Sequence, residues 1–271
     1  MPSQPFTFAG AHGHVLAGKL ELPVGPPHAY ALLAHCFTCS KDNLAAVRLA
    51  RALAADGIAV LRFDFTGLGQ SGGAFGEGGL SSDIADILAA AGAMAEAGIA
   101  PALLVGHSFG GAAVLAAALQ LPQVEAVATI AAPFDVQHVS SHFGEAVGDI
   151  RQDGAAQVTL GGRPFTIRRS FLDDLAAHDP ASRLAALHRP LLILHAPGDT
   201  VVGIEQASAL YTAARHPKSF VSLDTADHLL SDPADAAYAA LIIAAWASRY
   251  LERAFGPASR QVGEMDEAET A

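Results

Sequence analysis

Short apolar runs alternate with longer alanine-rich stretches along most of the chain. Ala29–Ala34, Ile58–Phe63, Ala102–Val105, Ala126–Ala131, Leu191–Leu194 and Phe220–Leu223 are four to six residues long and bounded by turn formers. Runs so short and so uniformly apolar predict strands buried on both faces, the pattern of a parallel sheet. Between them, Leu44–Ala55, Leu80–Ala97, Gly110–Gln120, Glu205–Ala214 and Pro233–Arg253 have helical length and are rich in alanine. Phe6–Phe8 and His14–Leu22 add two strands ahead of the turn sequence Pro23-Val-Gly-Pro-Pro27. The alternation predicts an α/β fold with about eight strands, mostly parallel, flanked by helices.

The rhythm breaks once, in the long interval between Ala131 and Leu191. Inside it, Ala156–Leu160 and Arg163–Ile167 are joined by Gly161-Gly162, which predicts a hairpin with a two-residue turn. That register sets Val158 opposite Phe165 and Ala156 opposite Ile167, giving one apolar face. Residues 134–188 are therefore expected to form a small lid insertion within a single domain spanning 1–255. Phe134, Phe143, Phe165, Phe171, Leu172 and Leu175 either line an apolar acyl pocket there or serve only to pack the hairpin and its neighbouring helices.

Composition narrows the function classes. A chain of 271 residues is long enough to bury a core without staples. Its longest apolar run, Ala236 to Ala247, has 12 residues, short of a membrane-spanning helix. The N-terminus MPSQPFTFAGAHGH lacks the basic and apolar regions of a secretory signal, and two cysteines argue against a disulfide scaffold. The expected compartment is the cytoplasm. With 27 acidic and 16 basic residues the net charge is −11, the wrong sign for nucleic acid or an anionic membrane surface. Glu264, Asp266, Glu267 and Glu269 make 256–271 an acidic tail expected to be disordered.

The sharpest chemical signal is Gly106-His107-Ser108-Phe109-Gly110, which directly follows one apolar run and directly precedes a helix. G-x-S-x-G in that context is a nucleophile elbow, where a serine is presented on a turn too tight for side chains two positions away. A serine hydroxyl needs a base, and the base needs an orienting acid. The acid is expected after a late strand, which indicates Asp199 in Leu194-His-Ala-Pro-Gly-Asp199. The base is expected after the last strand, which indicates His228; Asp224 and Asp227 are rival acids nearby. Phe109 N–H follows the nucleophile and is one expected oxyanion donor. The loop Ala34-His35-Cys36-Phe37-Thr38 supplies the second, with Phe37 the first choice and Cys36 the second. Cys36-Phe-Thr-Cys39 beside His35 also admits a zinc or thiol-redox reading, but no second pair of ligands at metal spacing accompanies it. No metal and no cofactor is expected.

The motifs His35-Cys-Phe-Thr-Cys-Ser-Lys-Asp42, Arg62-Phe-Asp-Phe-Thr-Gly-Leu-Gly-Gln-Ser71, the elbow, Leu194–Asp199 and Ala226-Asp-His228 together resemble the α/β-hydrolase superfamily over roughly residues 5 to 253. The string Arg215–Leu230 is similar, more narrowly, to the hydrolase half of bacterial proteins in which such a domain precedes an OsmC-like one. The resemblance implies an α/β-hydrolase fold and a serine hydrolase that cleaves small esters or thioesters through an acyl-enzyme. Its catalytic residues would be Ser108, Asp199 and His228, and its partner a small-molecule acyl substrate. A homo-oligomer is compatible with this reading. Peptidase or acyltransferase activity would use the same residues, and a non-catalytic ligand-binding module is the alternative from another class.

Overall fold

The apolar runs become strands at almost the positions their pattern predicts. The computed structural model describes residues 2–251. In chain order it contains β1 (Ser3–Ala9), β2 (Val15–Glu21), β3 (Ala29–Ala34), α1 (Leu44–Ala55), β4 (Ile58–Phe63), α2 (Leu80–Glu96), β5 (Leu103–His107), α3 (Phe109–Ala117) and β6 (Ala126–Ile130). An excursion follows, with a 3₁₀ segment at Val136–Phe143, then α4 (Ala146–Asp153), β7 (Ala155–Leu160), β8 (Arg163–Arg168), α5 (Arg169–Ala177) and α6 (Pro180–Ala186). The chain returns with β9 (Leu191–His195), α7 (Ile204–Ala213), β10 (Lys218–Ser222) and α8 (Pro233–Ala247). The expected helix to Arg253 ends earlier, at Ala247, and the acidic tail expected at 256–271 lies outside the described residues.

Eight strands form one sheet in the order β1-β2-β4-β3-β5-β6-β9-β10. The β1–β2 and β2–β4 pairs are antiparallel and all other neighbours are parallel. Because side chains alternate along a strand, each central strand feeds two cores. Leu32, Leu61, Leu104, Val127 and Ile193 face the layer containing α2 and α3. Leu33, Val60, Val105, Ala128 and Leu194 face the layer containing α1 and α8. This is the architecture expected of an α/β-hydrolase, with helices on both faces of a mostly parallel sheet. Among the described residues, no helix is long and apolar enough to cross a membrane.

Local signals set the helix ends. The Asn43 side chain accepts from Ala46 N–H at the start of α1, and Asp232 accepts from Ala234 N–H ahead of Pro233 in α8. The two-residue hairpin turn takes the form its glycines permit, with φ of +56° at Gly161 and +75° at Gly162. β7 and β8 pair in the expected register, Val158 opposite Phe165 and Ala156 opposite Ile167. The four elements around this hairpin, α4, α5, α6 and the 3₁₀ segment, are each nine residues or shorter, too short for their spacing to stand out in the sequence.

Candidate active site

Strands β3, β5, β6, β9 and β10 are mutually parallel, so the loops after them gather at one edge of the sheet, where parallel α/β folds place ligands. Ser108 sits between β5 and α3 with φ +55° and ψ −126°, a strained conformation for a residue with a side chain. Its N–H donates to Ile130 O at 2.8 Å, and Gly111 N–H donates to Ser108 O at 2.8 Å. Glycines are required on both sides. A Cβ at Gly106 would lie 2.5 Å from Gly111 Cα, and one at Gly110 would run into the carbonyl oxygens of Ala34 and His35.

The three residues expected to act together are brought together. Ser108 Oγ lies 3.0 Å from His228 Nε2, and His228 Nδ1 lies 2.7 Å from Asp199 Oδ2. All three are buried, at 6%, 9% and 7% exposure, which shields the relay while leaving an opening to the cleft. Asp199 Oδ1 accepts from the N–H groups of Val201 and Val202 at 2.8 and 2.9 Å. Burial works to raise the Asp199 pKa, but the bonds from His228 and from those two amides outweigh it and hold the carboxyl below its ordinary value. This acid is therefore ionised and aimed. The rivals stand elsewhere: Asp224 is exposed, and Asp227 Oδ1 accepts from Ser231 N–H at 2.8 Å.

Phe109 is the first residue of α3, so its N–H has no intrahelical acceptor. Phe37 and Cys36 lie on the loop after β3, and both line a cleft of about 330 Å³ with Ser108 and His228. The Phe37 ring packs edge-on against Phe109 at 5.4 Å and against Phe75, Phe143 and Phe171 at 5.3 to 6.3 Å. One point of the sequence reading needs correction here. The two cysteines build no scaffold, but they are bonded to each other, with Cα atoms 5.3 Å apart. Their sulfurs are therefore not free ligands. Among the described residues no cluster of three or more His, Cys, Asp or Glu is assembled for a metal ion.

Beyond the bridge, the loop is fixed by buried charge. Lys41 Nζ lies 2.9 Å from Asp64 Oδ2 and 2.9 Å from Asp42 Oδ2, and it donates to Gln70 Oε1 at 2.8 Å. Arg62 donates to Lys41 O, to Asp42 Oδ1 at 2.9 Å and to Glu21 Oε1 at 2.7 Å. Burial opposes the charge on Lys41, yet the Asp64 and Asp42 carboxylates raise its pKa above the ordinary value. This network accounts for Lys41, Asp42, Arg62 and Asp64 in the motifs, which composition alone left unexplained.

Sequence reasoning missed the part played by His107. His107 is buried beneath the elbow, and it also reaches across the fold. Its Nε2 donates to the backbone carbonyl of His228 at 2.7 Å, so the residue before the nucleophile holds the loop that carries the base. Burial, and then the neighbouring His228, push its pKa down to about 4, so it is a neutral donor near pH 7. The signal was its position beside Ser108, but the partner lies 121 residues away. His195, at the end of β9, is a buried interior histidine with Nε2 2.7 Å from Val202 O.

The excursion contributes the far wall of the cleft through His138, Val139, His142, Leu160 and Gly161. Phe143 and Phe171 pack against Phe37, while Phe165 packs against Phe75 at 5.1 Å. Phe143, Phe165 and Phe171 thus pack around Phe37 and Phe75, and among the described residues none of the aromatic side chains singled out in the excursion lines the cleft itself.

Comparison with known proteins identifies the family and agrees with the fold. The family model described as serine aminopeptidase, S33 (Hydrolase_4) matches residues 25–183. No curated protein sequence gives a significant match. Among solved structures, the esterase domain of a Rhodothermus marinus protein is 48% identical, with a TM-score of 0.76, over 93% of this chain and 100% of that one. Est1E from Butyrivibrio proteoclasticus with bound ferulic acid is 19% identical, with a TM-score of 0.78, over 90% of this chain and 98% of that one. Dienelactone hydrolase from Anabaena variabilis is 17% identical, with a TM-score of 0.65, over 93% and 100%. At such identities the last two speak for the fold alone.

Proposed function

The chain belongs to the serine aminopeptidase, S33 family (Hydrolase_4) of α/β-type hydrolases, and from that premise we propose that it cleaves small carboxylic esters or thioesters through an acyl-enzyme. The observation that carries the proposal is the relay from Ser108 Oγ through His228 to Asp199, at 3.0 and 2.7 Å, mounted on an elbow. Ser108 Oγ attacks the acyl carbonyl as its proton passes to His228 Nε2. Asp199 stabilises the imidazolium that forms, and the Phe37 and Phe109 N–H groups stabilise the oxyanion. Collapse expels the alcohol or thiol, which takes the proton from His228. Water, activated by the same imidazole, then releases the acid.

Ester rather than peptide cleavage is favoured by the cleft's chemistry. An aminopeptidase needs an anion to receive the substrate's ammonium, and among the described residues lining the cleft none is acidic. The 48% identical relative is an esterase domain, which supports the same choice. The narrower likeness to hydrolase halves of OsmC-like fusions belongs to this proposal too. So does the lid role of residues 134–188, which would select the acyl group by shape. A cytoplasmic location also belongs to it; there, an internal disulfide is usually a transient, redox-sensing one rather than a scaffold.

The test is turnover of p-nitrophenyl esters from two to sixteen carbons together with fluorophosphonate labelling. Ser108→Ala should abolish labelling and lower kcat by about 10⁶ while leaving the fold intact, the loss typical of a missing triad nucleophile. Asp199→Asn should cost about 10⁴ in kcat and Asp224→Asn almost nothing. Turnover retained in pure, folded Ser108→Ala would overturn the proposal.

A further inference from the structure

The Cys36–Cys39 bridge stands in the candidate cleft, and no step of the hydrolytic relay uses it. Both cysteines line the cleft with Ser108. Cys36 is buried at 3% exposure, while Cys39 is half-buried, so Cys39 is the more accessible member of the pair. The bridge spans only Phe37 and Thr38. A loop that short restrains the unfolded chain little, so the bridge acts chiefly on those two residues. Thr38 is β-branched yet has φ +56°, in the left-handed region such residues avoid, and its carbonyl accepts from Arg163. Phe37, beside it, carries the second oxyanion N–H of the proposed function, on which this inference rests.

The surroundings of the sulfurs suit a thiolate. Asn43 Nδ2 lies 3.7 Å from Cys36 Sγ and 3.4 Å from Cys39 Sγ. The same side chain caps α1 through Oδ1, so the amide is held in place and a donor faces whichever sulfur becomes anionic. A bridge with a fixed donor on both sulfurs, an accessible member and a strained residue inside it is equipped to open and close.

We propose that Cys36–Cys39 is a thiol-exchange site for low-molecular-weight thiols entering the cleft, and that its opening releases Phe37 from its role as oxyanion donor. A thiolate RS⁻ attacks Cys39 Sγ, forming an RS–Cys39 mixed disulfide and breaking the Cys36–Cys39 bond. The electron pair leaves on Cys36 Sγ, facing the Asn43 amide. A second RS⁻ attacks the R sulfur and releases Cys39 as thiolate with RSSR. Two thiols are oxidised, the protein disulfide is reduced, and the two thiol protons end on the cysteines. RSSR drives the reverse reaction. With the bridge open, Thr38 is free to leave its left-handed conformation and carry Phe37 N–H out of line.

The test holds the full chain, with oxygen excluded, in glutathione buffers ranging from oxidised to reduced. Alkylation followed by mass measurement counts thiols, and p-nitrophenyl butyrate turnover is measured in parallel. As thiols appear, kcat/KM should fall about 100-fold, the loss typical of one oxyanion donor, and should return on adding oxidised glutathione. Cys36→Ser should collect a single glutathione adduct on Cys39. The Cys36→Ser, Cys39→Ser double variant should stay at the low value at every ratio. Unchanged kcat/KM through full reduction would overturn the proposal, as would a bridge that stays closed in the folded chain. Activity lost only together with the far-ultraviolet dichroism would overturn it as well. A fully oxidised chain with no turnover would instead sink the ester-cleaving reading, and the thiol count would still decide the exchange.

Discussion

Two loops leave neighbouring strands β3 and β5 at the same sheet edge, where Ala34 pairs with Gly106, and in the proposed function each offers one N–H to the oxyanion. They are held by different means. The elbow is fixed by what is missing: side chains at Gly106 and Gly110 would collide with backbone atoms, and nothing in solution alters that. The loop after β3 is fixed by what is present, a disulfide, a buried lysine between two carboxylates and an arginine on Lys41 O. Steric fixation is indifferent to conditions, whereas fixation by bonds and charges inherits the chemistry of those groups. The backbone of the elbow is therefore fixed by sterics, whereas the proposed oxyanion donor on the β3 loop is held conditionally.

The largest expected effect tests the steric half. Gly110→Ala places a Cβ against the Ala34 and His35 carbonyls, disturbing both loops at their seam. Turnover of a short p-nitrophenyl ester should drop by about 100- to 1000-fold, as when an oxyanion donor is lost. Near-normal rates would show that the elbow tolerates displacement. Comparable in size is the ionic half. Lys41→Met strips Asp64 of its buried cation. Urea unfolding should register a loss of about 3 to 5 kcal/mol, the usual cost of leaving one buried charge unpaired. Fluorophosphonate labelling of Ser108 should persist in whatever fraction stays folded.

His107 shows that the elbow is not wholly indifferent to solution. Its folded pKa of about 4 lies below the ordinary 6.5, so between these values the unfolded chain binds a proton that the folded chain does not. Stability should be unaffected by this residue above pH 6.5 and fall by about 3 kcal/mol as the pH drops toward 4. Urea midpoints of His107→Gln against the parent across that range measure the term; parallel curves would mean that His107 does not couple to pH. The smallest effect concerns the hairpin. Replacing Val158 and Phe165 together by serine should shift KM or acyl-length preference a few-fold with little change in Tm. A fall in Tm with unaltered preference would make the hairpin a structural flap.

How much of this was legible depended on the range of the interaction. β3, β4 and α1 begin and end where their apolar runs do, because two-sided burial writes an unbroken signature into the sequence. Ser108, Asp199 and His228 were legible because an elbow, a strand end and a final loop each leave a local mark. The hairpin register followed from two glycines. By contrast, the bridge between Cys36 and Cys39, the Lys41–Asp64 pair and the His107 bond to His228 are decided by geometry that no local pattern encodes. The elements α4 to α6 run for only eight, nine and seven residues, too few for a helical pattern to declare itself in the sequence.

The order of strands in the sheet also bears on how activity is acquired. Ser108 is tied to Ile130, so the elbow is complete once β3, β5 and β6 have assembled from the first half of the chain. Asp199 and His228 arrive only when β9 docks on β6 and β10 docks on β9, after the long excursion. Closing that span carries the entropic penalty that slows folding of non-local pairings. Recovery of turnover during refolding therefore requires the β6–β9 and β9–β10 seams to have closed, which a probe placed near Ser108 alone would not report.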